Sequence, residues 1–397
     1  MIADIFYVIV FLFIGLQFPK VLSLRNKDIN RLKWLWFYHL IFGIAYYLYV
    51  SSQGGSDSLK YWNGAKKISL SEALMSLFEY QGTQAMYAIN FIPSGVFDMS
   101  FFSGTILYCF IGFVGISLFY KIAVDAVPLN YKISNVLLFP TIFYLPNLHF
   151  WSSAIGKDTI LFFCVALFTY ALVNLKNRLP LLIFSSFLAY LVRPHIILFL
   201  FIGFALAFSM NKNIASYKRY VLFLLMLSVG AYMLPSVMEY AQVEELSIDS
   251  YEEFSDTKVS NLSRSHTGSS VDVSNYPFPL KVLTFLYRPT FIDINGIPAL
   301  LAAIENFILF LLTIAVIKRR PVETFKKAPF IIKGLFFFLL IGTIAFSMSL
   351  GNLGIMLRMR NMFLPGMLIY ICWSYSYYLQ LKINKINLQK KAVQATS

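Results

Sequence analysis

The chain has 397 residues, of which 58% are hydrophobic, 18% aromatic and only 13% charged. Soluble domains carry about a quarter charged residues, so this composition excludes a water-covered globule and suits one membrane bundle at about 20 residues per span. The formal net charge of +14 in so apolar a chain records topology through the positive-inside rule, and nucleic acid is not an expected partner.

In chain order, apolar runs fall at about 2–18, 34–52, 100–119, 133–149, 159–174, 179–192, 195–210, 220–238, 298–317, 330–350 and 361–379. Backbone in hydrocarbon must satisfy its own hydrogen bonds, so each run is predicted to be a helix. The expected fold class is all-α: a polytopic transmembrane helical bundle of about 11 spans, forming a single membrane-embedded domain over 1–397. The first run lacks a basic leader and a small-residue cleavage site, and reads as a retained span.

Basic connections set the orientation. Lys20, Arg25, Lys27, Arg31 and Lys33 form the first, and Lys121 with Lys132 the next. Lys176 and Arg178, then Lys212, Lys218 and Arg219, then Lys318, Arg319, Arg320, Lys326 and Lys327 follow, and Lys382, Lys385, Lys390 and Lys391 form the tail. They alternate with poorer segments and are assigned to the cytoplasm, which puts the N-terminus outside and the C-terminus inside. The extracytoplasmic loops are then chiefly 53–99 and 239–297. In the first, Leu70, Leu74, Leu77 and Phe78 have the spacing of an amphipathic helix, either lying on the membrane surface or packed within the loop. The second opens on Glu239, Glu244, Glu245, Asp249, Glu252, Glu253 and Asp256, the composition of a solvated face. Cys109, Cys164 and Cys372 all fall in apolar runs and read as small buried residues, with no disulfide framework.

Ionisable groups inside or beside apolar runs are costly, and each is a functional candidate. Five groups qualify, all on the outer side. Asp57 with Tyr61 and Trp62 offers a general base and rings that stack on a sugar, or simply a turn aspartate after Gly54-Gly55. The stretch His149 to Asp158 contains Trp151, a phosphate-binding Lys157, and Ser152 or Asp158 as helix caps. Arg193-Pro194-His195 breaks the chain between two spans, as residues lining a polar cavity would. Tyr287-Arg288-Pro289 with Asp293 precedes Glu305-Asn306, where Glu305 is the most deeply apolar carboxylate and needs a partner or a proton. Asn352 with Arg358 and Arg360 lies between the last two spans. Outer arginines at three chain positions suggest one pocket for a multiply charged group, such as a lipid diphosphate. No P-loop, dinucleotide fingerprint, HExxH or other metal-ligand spacing is present, so no cofactor or metal is expected.

On these residues the chain resembles the bacterial O-antigen and exopolysaccharide polymerases of the Wzy type and, more distantly, the polytopic class C glycosyltransferases. The likeness is carried by the Asp57 loop, Trp151-Ser152-Ser153 with Gly156-Lys157-Asp158, Arg193-Pro194-His195, Tyr287-Arg288-Pro289 with Glu305-Asn306, and Asn352 with Arg358 and Arg360. It implies transfer of a glycan from a polyprenyl diphosphate to a sugar hydroxyl at the outer face of a bacterial cytoplasmic (inner) membrane. Partners would be the lipid-linked glycan, membrane lipids and other polysaccharide-assembly proteins. Arg193, Arg288, Arg358 and Arg360, with Lys157, would hold the diphosphate; Trp151 and Tyr61 would hold the glycan; Asp57, His195 or Glu305 would serve catalysis. Polymerases of this type usually carry an arginine-rich outer loop, whereas 239–297 holds mostly acids, with Lys258, Arg264, Lys281 and Arg288. Class C enzymes place aspartates in their first outer loop, as Asp57 is placed, and use a lipid-phosphate sugar. Repeat-unit polymerase and single-sugar transferase thus both stand, beside a lipid-linked glycan flippase and a non-catalytic scaffold; the absence of an internal repeat counts against the flippase.

Overall fold

The computed structural model describes residues 2–211, 215–241, 269–273 and 275–396. Lys212, the acidic stretch from Glu244 to Asp256, Lys258 and Arg264 lie outside the described residues.

Ten of the eleven apolar runs coincide with a helix. Helix α1 spans Ile2–Gln17 and α2 spans Asn26–Gln53, the latter ended by Gly54 in the left-handed region at φ 66°. Three short helices follow: α3 (Asp57–Ala65), α4 (Leu70–Glu79) and α5 (Thr83–Asn90). Next come α6 (Phe101–Ala126), the short α7 (Leu138–Thr141) and α8 (Pro146–Phe150), and then α9 (Lys157–Val173). Helices α10 (Leu175–Val192) and α11 (Pro194–Ser209) are separated by Arg193 in extended conformation, with Pro194 opening α11, where a missing N–H costs nothing. The remainder comprises α12 (Ser216–Ala241), α13 (Phe278–Tyr287), α14 (Ile297–Ile317), α15 (Pro321–Lys327), α16 (Phe330–Ser349), α17 (Leu353–Arg360) and α18 (Leu364–Thr396).

Among the described residues six helices are long and apolar enough to cross a membrane, and a seventh crossing is counted if α17 and α18, bent by 62°, form one broken span. Helices α9 and α11, at 17 and 16 residues, are apolar but short. The chain is a multi-pass helical membrane protein.

The run 133–149 departs from expectation. Its start is a two-residue antiparallel ribbon, Lys132–Ile133 against Val136–Leu137, turned by Ser134 and Asn135 at positive φ. Beyond it the chain continues as broken turns through α7 and α8, because Pro140 and Pro146 interrupt any continuous ladder. This segment runs alongside α2 and α6. Phe139 packs on Tyr120 (ring centroids 4.7 Å apart), His149 meets His39 (3.0 Å), and Ser153 faces Gly43 and Cys109. Tyr120 and Cys109 are eleven residues apart on α6, a climb of roughly 16 Å at 1.5 Å per residue. Gly112 permits the closest approach, since a Cβ there would lie 1.7 Å from the Ser152 carbonyl oxygen.

Irregular backbone at this depth is tolerated only when protein groups satisfy it, and here side chains do so. The Tyr38 hydroxyl donates to the Tyr144 carbonyl (2.8 Å), Ser152 to Leu148 (2.5 Å) and Thr159 to Ala154 (2.6 Å). The carbonyl of Phe143 can only accept, so His149 bears its hydrogen on Nε2 (2.8 Å) and, as a neutral ring, accepts on Nδ1 from His39. Ser152, expected as a cap for α9, instead ties down the turn before it, and Gly156 precedes the helix without a side-chain cap.

Candidate functional site

The end of the broken segment delivers Lys157 and Asp158 to the first turn of α9, where a carboxylate is favoured by the helix dipole. Asp158 is the hub of the site. Its carboxylate accepts from Arg193 Nη1 at 3.1 Å and, on the other oxygen, from Arg358 Nε in close contact. Arg358 in turn reaches Asp57 at the start of α3, 3.9 Å away. Arg193 Nη1 also lies 2.9 Å from the Met359 sulfur. Lys157 Nζ sits 3.3 Å from the Thr83 hydroxyl and 5.7 Å from the centre of the Tyr61 ring. Residues from α3, α5, α9, the α10–α11 break and α17 therefore meet in one polar cluster.

Exposure grades across this cluster. The side chains of Asp158 and Arg193 are 7% and 9% exposed, Arg358 is 25% exposed and Asp57 is 55% exposed. The buried end is a fixed ion pair, and at the other end Arg358 and Lys157 are partly exposed and Asp57 is exposed. Three cations (Lys157, Arg193, Arg358) against two carboxylates (Asp57, Asp158) leave an excess of one positive charge. Burial pushes the Tyr61 hydroxyl up to about 12, with the Asp57 charge adding and Arg358 and Arg193 opposing. Tyr61 is thus a neutral phenol that donates or accepts hydrogen bonds, and never a base at physiological pH.

Two predicted site residues flank the cluster. Trp151 packs on Phe150 (5.0 Å) within the small apolar group that includes Tyr46 and Leu59, and Tyr46 shares a 2.8 Å hydrogen bond with Ser58 beside Asp57. Among the described residues, neither Trp151 Nε1 nor His195 Nε2 has a hydrogen-bond partner, although both atoms are buried. The His195 ring lies against Phe199, Tyr240 and Phe346, at 5.9, 5.7 and 5.7 Å, rather than against Asp57.

The remaining predicted site residues form a second, separate group. Arg360 lies two residues beyond Arg358, which on a helix turns it to another face. It is 2% exposed and donates to the Leu286 and Phe285 carbonyls and to Asn306 Oδ1 (2.5 Å). Asn306 passes the connection on to the Pro289 carbonyl at 2.9 Å. Glu305 accepts the Asn147 backbone N–H at 2.9 Å, so it serves as a borrowed cap for α8, while its other oxygen is buried without a partner among the described residues. Arg288 forks onto Asp293 (3.1 and 2.5 Å). The four arginines expected to share one pocket therefore divide: Arg193 and Arg358 belong to the first group, Arg288 and Arg360 to the second. Among the described residues no group of three or more His, Cys, Asp or Glu is arranged to hold a metal ion.

The Arg288–Asp293 fork has a testable pH signature. Partial burial alone would raise the Asp293 carboxyl, but Arg288 and the Thr290 backbone and hydroxyl outweigh it and hold it below its usual range. A lowered folded value contributes stability above the unfolded value of roughly 3.9, lost as pH falls through the folded value. In detergent, the stability advantage of the native chain over Asp293→Asn is expected to hold at pH 6 and to shrink below pH about 4. An advantage that does not change over this interval contradicts the pairing.

Sequence reading missed Thr83, Tyr46, Tyr240 and Met359. Thr83 opens a short helix within the 53–99 segment, far from any apolar run, and none of the four carries a sequence signal. No family model matches the chain, and no curated protein or solved structure matches it.

Proposed function

We propose that this chain is a membrane glycosyltransferase that passes a glycan from a polyprenyl diphosphate to an acceptor sugar hydroxyl, as the bacterial repeat-unit polymerases do. The observation that carries this reading is the convergence of Asp57, Lys157, Asp158, Arg193 and Arg358, from four separate chain regions, on one partly open cluster. In this reading the chain crosses a bacterial inner membrane about eleven times, the irregular segment 133–156 counting as one crossing, with the N-terminus outside. Lys157, Arg193 and Arg358 hold the diphosphate and stabilise the charge that develops as it leaves. Asp57, the most exposed carboxylate of the cluster, takes the proton from the acceptor hydroxyl. The acceptor oxygen bonds to the donor sugar's anomeric carbon, the bond from that carbon to the diphosphate oxygen breaks, and the polyprenyl diphosphate departs. In this reading Tyr61, beside Lys157, and Trp151 are the aromatic residues that would stack on sugar rings. Membrane lipids and other polysaccharide-assembly proteins are the companions this activity implies.

Asp57 in the first outer segment also favours a second reading, transfer of a single sugar from a lipid-phosphate donor. Purified protein in vesicles, supplied with polyprenyl-diphosphate oligosaccharide, separates them. A ladder of lengthening glycans is the expected product. Single additions from a lipid-phosphate sugar instead support the second reading, and movement of the donor across the bilayer without transfer contradicts both.

A further inference from the structure

Three buried polar atoms are left unpaired where the broken segment meets the second arginine group. Glu305 and Asn361 are each 2% exposed. Glu305 Oε1, Asn361 Oδ1 and Asn147 Nδ2 are buried and have no hydrogen-bond partner among the described residues. All three side chains converge on two consecutive residues of α8. Glu305 of α14 accepts the Asn147 backbone N–H on Oε2 (2.9 Å), and the Asn147 amide also borders that carboxylate. Asn361, which ends α17, turns Nδ2 toward the Leu148 carbonyl oxygen 3.5 Å away.

These neighbours fix both amide orientations. Reversing Asn361 would set its oxygen against the Leu148 carbonyl, and reversing Asn147 would set its oxygen against a carboxylate. The unpaired set is therefore two acceptors and one donor. Glu305 lies eight residues, roughly 12 Å, inside α14, at a depth where protein groups rather than bulk solvent must satisfy polar atoms. Leaving the set bare is destabilising.

Charge decides what completes it. Arg360, one residue before Asn361, attracts the Glu305 carboxylate and balances it. A cation would leave this pair with an uncompensated positive charge, and an anion would be repelled by Glu305. A small neutral molecule that both donates and accepts is what fits. Water donates twice and accepts twice, which matches two acceptors and one donor.

We infer that one firmly held water molecule binds between α8, α14 and α17, donating to Glu305 Oε1 and Asn361 Oδ1 and accepting from Asn147 Nδ2. It completes the cap that Glu305 lends to α8 and pins the broken segment to the end of α17. These two pieces of chain lead to Asp158 and Arg358, so the water belongs to the framework that brings those partners together. The inference is independent of the chemistry performed at the cluster.

Electron cryomicroscopy of the native full chain in lipid nanodiscs, at a resolution that shows ordered water, tests it. The expected result is one density peak at about 2.5–3.2 Å from each of the three atoms. Direct contact among the three side chains, with no peak between them, overturns the inference. A peak ringed by oxygens at about 2.3–2.6 Å marks a metal cation and overturns it as well. Thermal melting gives an independent readout through Asn147→Ala and Asn361→Leu, two residues that make no hydrogen bond to each other. Both loosen the same water, so the double variant is expected to melt close to the less stable single variant. A loss equal to the sum of the two contradicts a shared ligand. The native chain is expected to melt alike in sodium chloride and in choline chloride of equal concentration; a higher melting temperature in sodium assigns the site to a cation and overturns the inference.

Discussion

Replacing Asp158 by alanine is expected to destabilise the chain by about 3–5 kcal/mol, the cost of leaving buried charges without their partner. Two guanidiniums converge on this carboxylate, and both it and Arg193 are almost fully enclosed. Water therefore cannot substitute for the missing anion at Arg193. The loss is read as a fall in detergent melting temperature and in the amount of protein that accumulates. Adding Arg193→Met to Asp158→Ala is expected to recover part of it, because the uncompensated charge is removed together with its partner. Additive losses in the double variant contradict the pairing. Asp158→Asn keeps the shape and one acceptor oxygen, and is expected to fall between the native chain and the alanine variant.

Arg360→Ala is the second large effect, and it separates two arginines that sequence reading groups together. The Arg360 guanidinium satisfies the Leu286 and Phe285 carbonyls and Asn306 Oδ1 in a buried setting. Each acceptor left unsatisfied costs about 1–3 kcal/mol, so a loss on the order of 3–5 kcal/mol is expected when the side chain is truncated. Lysine does not rescue it, since a point charge on a flexible stem cannot fork between carbonyls and an amide. Arg358→Lys, at a quarter-exposed position, is expected to accumulate normally. Comparable melting temperatures for Arg360→Ala and Arg358→Lys contradict this division of labour.

Much of the fold was legible because hydropathy and helical length are set by the bilayer. The runs at 2–18, 100–119, 220–238, 298–317 and 330–350 each become a helix long enough to cross. The run at 133–149 was misread because composition cannot distinguish a lipid-facing helix from irregular backbone buried inside the protein; both are apolar. Pro140 and Pro146 were the available signal, and proline alone is tolerated in many spans. The grouping of Arg358 with Arg360 neglected that residues i and i+2 of a helix point to different sides. Asp158, weighed only as a cap, is the hub instead, since nothing in a lone sequence reports that Arg193 and Arg358 lie across from it. Glu305, expected to need a partner or a proton, takes the Asn147 backbone N–H of the broken segment on one oxygen, a contact that a lone sequence does not report.

The central claim is that the Asp57–Arg358–Asp158–Arg193 cluster with Lys157 is where the chain acts. Glycan transfer by Asp57→Asn and Arg358→Lys in vesicles tests it most directly, since neither change removes a fully buried group. The predicted result is a purified protein that melts like the native chain and transfers at least about 100-fold more slowly, in line with the loss of a general base or an electrostatic contact in the transition state. Native-like transfer by both variants contradicts the account.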